Sequence, residues 1–499
     1  LILERILPIP ARVASLAPRN FEDARRLVAL VPKEADAIEF RLDLADVRVS
    51  PRALLDLDPR PEVITWRSAA EGGRFAGGAE EYRRAVQSAY DAGATVDVEL
   101  ESGLLSDPEF LPERRRVVGS RHSTRPVSRE TAAAYAGEHV RAVKLVHAAP
   151  RSVTEAASSL AALAGAPAGG APLAIFAMGK LGLFTRPLAA RMGSALTYGS
   201  VERATADGQI PLGDLVAIYG AGQGAPERIF AIFGGDVSRS LSPLVHNALF
   251  ARRGLRFLYV PVFTPSLADG VVALDSVLGN LGGASVTSPL KEAYGGVAEA
   301  DPQVREIGAA NTLVRRRPEC LDLSAHNTDA VAVAETLESR GMAGREVFVL
   351  GAGGAAAAAV FAARKAGCPV TVAGRNLARA RDLARRLGAR AVPAAAGPPA
   401  GAAVLVNATP LGSGEDDPLP FAPELLEGRS LVIDFAYRDR SPTRLEQAAR
   451  ETGCRVAGGL ELLARQAARQ AQLFGVADAR YEEVAEILGI AEPGAGELR

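Results

Sequence analysis

The stretch EVFVLGAGGAAAAAVFAARKAG, Glu346 to Gly367, reads as an apolar strand, a glycine turn and a helix. Its GAGGAA run (Gly351, Ala352, Gly353, Gly354, Ala355) fits G-x-G-x-x-A, the pattern of a turn that receives a pyrophosphate at a helix N-terminus. Gly351 permits the tight turn, and Gly353 lets the backbone approach the anion. An ordinary strand-to-helix turn is the plainer alternative. The next strand, PVTVAGRN, ends in Arg375 and Asn376, with Arg379 one turn further on. An acid there would bind the ribose 2′-hydroxyl of NAD. A guanidinium suits the 2′-phosphate of NADP(H) instead. The strands AAVLVNATP and LVIDFAY continue the same rhythm. A doubly wound dinucleotide-binding fold follows for residues 336–457.

Working outward, the alternation of strands and helices begins much earlier. RVASLA, AIEFRLD, EVITWRS, TVDVEL, RVVGSRH, RAVKLVH, PLAIFAMG and ALTYGS are eight strand candidates in roughly the first 215 residues, with amphipathic helices such as AEEYRRAVQSAY between them. That count and spacing predict a (β/α)8 barrel over 1–219, with an open doubly wound sheet as the competitor. The Gly/Pro-rich GAGQGAPER, 220–228, reads as a linker. RIFAIFGG, RFLYVPVF and GASVTSP open a further α/β region. The tail helices LELLARQAARQAQLFG and ARYEEVAEILG belong with it, giving a domain of 229–335 plus 458–499. The fold class is α/β throughout.

Composition narrows the functions. The chain has 499 residues and a formal net charge of −1, so no basic field draws it to nucleic acid or a membrane surface. No apolar run is long enough to span a bilayer, and no secretory pattern opens the sequence. Cys320, Cys368 and Cys454 form no CxxC pair or disulfide framework, which fits a reducing cytoplasm. The five histidines show no metal-ligand spacing, so no metal is expected. Lysine occurs only at 33, 144, 180, 291 and 365, while arginine supplies nearly all other positive charge. A guanidinium cannot do amine chemistry, so each retained lysine is a candidate for it.

Barrel enzymes place their chemistry at the C-terminal ends of the strands. Here those ends carry Glu39, Arg41 and Asp43, then Arg67 and Glu71, then Asp97 and Glu99, then His122, Lys144, Arg186, Thr205 and Gln209. Lys144 lies inside the apolar RAVKLVH. A lysine pointing into a barrel is desolvated, paired or working, and a free amine can condense with a ketone to a Schiff base. His122 is placed to move protons, and Arg186 offers a fork for a carboxylate. The bland alternative is a Lys144 that snorkels outward and a His122 satisfied in the core.

The run EFRLD, TWRSAAEGG, DVEL, SRH, KLVHAA, MGKLGLFTR and GSALTYGS resembles type I 3-dehydroquinate dehydratase, in order, over nearly all of the first 215 residues. The resemblance implies Lys144 as the Schiff-base lysine, His122 as general acid and base, and Glu71 as its carboxylate partner. It implies Glu39, Arg41, Arg67 and Arg186 as substrate-binding groups. Thr205 and Gln209 of TADGQ stand where that family has Ser and Gln, and Asp207 stands for a proline.

SRSLSPLVHNALF, SVTSPLKEA, IGAANTLV, HNTDAV, VNATPLG, DFAYRDRSPTRL and GLELLARQAA resemble shikimate dehydrogenase over about 270 residues. That resemblance implies Lys291 and Asp329 as the catalytic pair. Ser240, Ser242, Thr287 and Tyr437 would lie at the substrate carboxylate, and Asn311 and Gln466 at ring hydroxyls. Asn407 and Thr409 join the cofactor residues. The family often has Asn where this chain has Ser285, an acid at Gly458 and a glycine at Ala330.

Together the resemblances imply a bifunctional shikimate-pathway enzyme. It would dehydrate 3-dehydroquinate to 3-dehydroshikimate without a metal and then reduce that product to shikimate with NADPH. An NAD-dependent quinate/shikimate dehydrogenase with a degraded barrel remains an alternative, as does a metabolite-sensing pseudoenzyme.

Overall fold

The computed structural model describes residues 6–107, 109–165, 169–414, 416–438 and 441–490. The outermost residues of the first and last expected domains, 1–5 and 491–499, lie outside these. So do two residues of the DFAYRDRSPTRL motif, Asp439 and Arg440.

Eight parallel strands form the first sheet. They are β1 (Ala11–Leu16), β2 (Ala37–Arg41), β3 (Glu62–Thr65), β4 (Thr95–Glu99), β5 (Val117–Ser123), β6 (Ala142–His147), β7 (Leu173–Ala177) and β8 (Leu196–Ser200). Their order is β7-β6-β5-β4-β3-β2-β1-β8, and at the seam the Ala195 N–H donates to the Leu173 carbonyl at 2.8 Å. This is the eight-stranded barrel expected from the sequence. Strand side chains alternate, and residues paired across a ladder share a face. Ser15 pairs with Glu39, Arg41 with Thr65, and Thr65 with Asp97. Glu99 pairs with Ser120, Ser120 with Lys144, and Val146 with Phe176. The register therefore turns the polar residue of each strand onto the face that carries Lys144. The intervening Val96, Val98, Val143 and Leu145 are buried and apolar on the other face, as a strand covered by helices requires.

The second sheet has six strands: β9 (Arg228–Gly234), β10 (Phe257–Phe263), β11 (Leu281–Val286), β12 (Glu299–Ala300), β13 (Thr312–Arg315) and β14 (Leu323–His326), in the order β10-β9-β11-β13-β14-β12. β13 runs antiparallel to both of its neighbours. The third sheet is wholly parallel: β15 (Val347–Leu350), β16 (Val370–Gly374), β17 (Arg390–Pro393), β18 (Val404–Asn407), β19 (Leu431–Asp434) and β20 (Arg455–Ala457). Its order β17-β16-β15-β18-β19-β20 is the doubly wound one, with the switch point beside β15. The helix Gly354–Lys365 follows β15 directly, and its alanines let it pack closely in the core with Val347, Val349 and Val404.

The chain divides into two compact units. One comprises Leu1–Ala231, Asp236–Pro243 and Arg256–Leu281. The other comprises Ile232–Gly235, Leu244–Leu255 and Gly282–Arg499.

Gly199, between the pocket-facing Tyr198 and Ser200, lies against the helix Leu212–Ala217. A Cβ there would sit 2.5 Å from the Leu212 Cα. Gly199→Ala is therefore expected to cost about 1–3 kcal/mol through forced backbone movement. The denaturant midpoint of the purified chain measures it; an unchanged midpoint would contradict that packing.

Candidate active sites

At one end of the barrel, charges are buried around Arg67, which is 2% exposed. Its Nη1 donates to Glu71 at 2.9 Å, to Glu99 at 3.3 Å and to the Ser120 hydroxyl at 2.8 Å. Its Nη2 donates to Asp97 at 2.7 Å. Lys144, 5% exposed, donates from Nζ to Asp97 Oδ2 at 2.6 Å and lies 3.7 Å from Glu39. Burial alone would raise the Asp97 carboxyl. The charges of Arg67 and Lys144 outweigh it and hold the group below the usual carboxylate range. Glu39 accepts from the Ser15 and Thr65 hydroxyls. Lys144 is thus a paired amine inside the barrel, not a snorkelling one.

Glu71 is carried by a tight loop. The Ser68 hydroxyl accepts from the Glu71 N–H, and Gly72 takes φ +84°. Gly73 approaches the Arg67 carbonyl so closely that a Cβ would sit 2.1 Å from it. The loop aims Glu71 Oε2 at His122, where it accepts from the backbone N–H at 3.1 Å and meets Nδ1 at 3.0 Å. Burial pushes the Glu71 carboxyl up to about 7, with Arg67 opposing. Burial, with the positive charges of Arg67 and Lys144, drives His122 well below its usual value. His122 is therefore a neutral imidazole at pH 7. If Nδ1–H faces Glu71, Nε2 is left as the basic nitrogen.

The arginines divide. Arg41 is held bidentately by Asp43 at 2.8 and 2.9 Å and donates to the Thr205 carbonyl. Arg186 is 4% exposed and forms no carboxylate pair among the described residues. Its Nε is without a partner, its Nη2 reaches only the Asp207 carbonyl at 3.4 Å, and burial pushes it down to about 10. An unpaired buried guanidinium calls for an anion. Thr205 and Gln209 close one loop: Gln209 Oε1 accepts from the Thr205 N–H at 2.8 Å and its hydroxyl at 3.0 Å. Gly208, at φ +71°, packs that loop on the Gly179 carbonyl.

In the other unit, Lys291 lies in the 3-10 turn Leu290–Glu292 beyond β11 and donates to Asp329 Oδ2 at 2.6 Å. Asp329 stands in the first turn of the helix Thr328–Ser339, which Asn327 caps. Its Oδ1 accepts from Asn311 Nδ2 at 2.9 Å, and that amide also donates to Gln466 Oε1 at 3.2 Å. Thr328 joins them, donating from its backbone N–H to Asn311 Oδ1. Lys291, Asp329, Asn311 and Gln466 are therefore one network. The glycine turn packs on it: a Cβ on Gly354 would sit 2.9 Å from the Lys291 Cβ. Gly351, at φ +133°, lies where a Cβ would meet the Ala408 carbonyl at 2.7 Å. A cavity of about 460 Å³ lies over this turn, lined in part by Gly353, Gly354, Asn376, Arg379 and Arg386. An open helix N-terminus with guanidiniums across the cavity fits a phosphorylated dinucleotide.

Two family models match the chain: Type I 3-dehydroquinase over residues 13–225, and the shikimate dehydrogenase substrate binding domain over 232–313. The bifunctional 3-dehydroquinate dehydratase/shikimate dehydrogenase, chloroplastic, of Arabidopsis thaliana is 30% identical over 480 residues, covering 88% of this chain and 77% of that protein. The chain belongs to this bifunctional family. A shikimate dehydrogenase (NADP(+)) of Rubrobacter xylanophilus is 38% identical over 252 residues, 47% of this chain and 86% of that protein. Among solved structures, the dehydroquinate dehydratase and shikimate dehydrogenase from S. pombe AroM is 23% identical, covering 96% of this chain and 98% of its own, with a TM-score of 0.43.

Not every expected residue of the bifunctional enzyme meets its neighbours in the same way. Ser240 and Ser242 stand at the start of the helix Ser242–Arg252, where Ser240 Oγ accepts from the Ser242 N–H. Thr287 follows β11, its N–H bonded to the Phe233 carbonyl, and Tyr437 lies partly buried beyond β19. Asn407 is fully buried, and its amide is spent on Asp434, Leu411 and Thr409, so its side chain shapes the loop from within. Arg375 is exposed at the end of β16, whereas Arg379 lines the cavity and pairs with Glu292 at 2.6 Å. Sequence reasoning missed Ser15, Thr65, Ser120 and Tyr198 in the barrel, and Thr328, Glu292 and Arg386 in the dehydrogenase half. Strand parity with Glu39 and Lys144 was the signal available for the first four. Among the described residues no group of His, Cys, Asp and Glu is placed to hold a metal, and no helix is long and apolar enough to cross a membrane.

The raised Glu71 carboxyl sets a pH dependence. Between 4.5 and about 7 the folded chain keeps a proton that the unfolded chain has released, so this group's contribution makes stability fall as pH rises through that window. Unfolding free energies of wild type and Glu71→Gln across the window should diverge in slope, the wild type declining more steeply. Parallel curves would contradict a buried, proton-retaining Glu71.

Proposed function

We propose that the barrel dehydrates 3-dehydroquinate through an imine on Lys144, and that the second half reduces the resulting 3-dehydroshikimate to shikimate with NADPH. The observation that carries this reading is a buried amine, a neutral imidazole and an unpaired guanidinium at one barrel end. The Lys144 nitrogen adds to the ketone carbon, and the carbonyl oxygen leaves as water. The positive iminium nitrogen acidifies the neighbouring C–H, and His122, held by Glu71, takes that proton. The electron pair left behind expels the hydroxyl on the next carbon, which departs as water with the proton from His122. Hydrolysis then frees the product and restores Lys144, for a net loss of one water. Arg186 receives the substrate carboxylate, with Glu39, Arg41, Arg67, Thr205 and Gln209 around the substrate.

In the dehydrogenase half, bound NADPH supplies the hydride. Lys291 stabilises and protonates the developing alkoxide, and Asp329 orients the amine. Asn311 and Gln466 face the ring hydroxyls, and Ser240, Ser242, Thr287 and Tyr437 the carboxylate. Gly351, Ala352, Gly353, Gly354 and Ala355 would cradle the pyrophosphate. Arg375, Asn376 and Arg379 would hold the 2′-phosphate, with Arg379 exchanging Glu292 for it; Asn407 and Thr409 shape the adjoining loop. The same reading divides the chain into 1–219, the linker 220–228, 229–335 with 458–499, and 336–457. That division rests on three separate sheets with breaks near those places. It also puts the enzyme in the cytoplasm, for which three unpaired cysteines speak.

Borohydride added with 3-dehydroquinate should fix the substrate's mass on Lys144, read by peptide mass spectrometry; unmodified protein would rule out the imine route. Lys291→Ala should lower dehydrogenase kcat by roughly 10²–10⁴-fold with KM changing less, the mark of a transition-state contact. Unchanged turnover would remove Lys291 from the mechanism.

A further inference from the structure

One buried polar group of the barrel has no role in that mechanism. Tyr198 lies on β8, two residues before Ser200, which pairs with Ser15, so it shares the face of the charge cluster. Its ring lies under the reacting amine, with Lys144 Nζ 4.7 Å from the ring centroid. The neighbouring Phe176 ring, 6.5 Å away, carries the Arg186 guanidinium on its own face at 4.6 Å. Tyr198 is 6% exposed, and its hydroxyl is buried without a hydrogen-bond partner. Glu39, Asp97 and Arg67 all act on it electrostatically, yet it bonds none of them. Burial holds the phenol well above its ordinary value, so at neutral pH it keeps its proton and is a donor.

An orphaned buried hydroxyl is a cost that phenylalanine, with the same ring, would avoid. A chain that keeps it in contact with its reactive lysine has a use for an O–H there. The use is not a bond to Glu39 or Asp97, the carboxylates that act on it, because Ser15, Thr65, Arg67 and Lys144 already donate to their oxygens.

We propose that Tyr198 is a further substrate-contacting residue of the dehydratase, its ring face supporting the cation on Lys144 and its hydroxyl donating to the substrate oxygen on the carbon that Lys144 attacks. This rests on the imine reading above. As the amine adds, that oxygen gains the carbonyl electron pair and then leaves as water. A fixed O–H beside it stabilises the charge it acquires, while no proton need leave the phenol. Once water has gone, the nitrogen is an iminium, and the ring quadrupole still faces it.

The test compares wild type and Tyr198→Phe in the full chain. The rate of borohydride-trapped mass on Lys144 is followed after mixing with 3-dehydroquinate. Dehydrogenase turnover on 3-dehydroshikimate and the melting temperature serve as folding controls. The variant should trap roughly tenfold more slowly, the effect of one lost hydrogen bond to a reacting oxygen, while turnover on 3-dehydroshikimate and melting are unchanged or improved. Equal trapping rates would overturn the role of the hydroxyl. No trapping in wild type would instead defeat the imine reading itself. Tyr198→Leu removes the ring as well and should slow trapping further; a rate equal to that of Tyr198→Phe would overturn the role of the ring face.

Discussion

Burying several charges at once is tolerable only if each is paired, and the barrel is organised by that rule. Glu39, Glu71, Asp97 and Glu99 all lie within the barrel end that holds Lys144, and Arg67 touches three of them. Removing one partner from such a set leaves an uncompensated charge, typically at a cost of about 3–5 kcal/mol. The set is therefore fixed in geometry. It also sorts the protonation states: Asp97 stays ionised against Lys144, Glu71 is poised near 7, and His122 stays neutral. One cluster of fixed charges thus supplies both an anchored amine and a base beside it. Arg186 is the cation the cluster leaves uncompensated, and on the proposed reading a carboxylate substrate completes it.

The dehydrogenase half uses less charge and closer packing. One ion pair, Lys291 with Asp329, is held in place by the amides of Asn311 and Gln466. The glycine turn after β15 reaches this pair because Gly354 has no side chain to hold it off. The residue that brings this turn near Lys291 is thus the same kind of residue that makes the turn possible.

Much of this was legible in the sequence. Eight regularly spaced apolar strands gave the barrel, and the strand before GAGGAA with the helix after it gave the doubly wound sheet. Lys144 and Lys291 stood out because arginine does the remaining cationic work. What was not legible is long-range. Asp97 was visible as a polar strand-end residue, but its pairing with Lys144 depends on register between β4, β5 and β6. Ser15 meets Glu39 through the register of β1 on β2, and Tyr198, on the last strand, meets Lys144 only when the barrel closes. The antiparallel β13 carries no local mark that separates it from a parallel strand. Asn407 has the residue type of a ligand contact, yet its buried partners Asp434 and Leu411 consume it.

On the proposed reading one polypeptide carries out two consecutive reactions with two different lysines. The direct measurement is to mix the purified chain with 3-dehydroquinate and NADPH and follow products by chromatography together with NADPH oxidation. Shikimate should accumulate, with one NADPH consumed for each molecule formed and 3-dehydroshikimate passing through as an intermediate. Substrate that remains intact, or 3-dehydroshikimate that accumulates with no NADPH consumed, would contradict it.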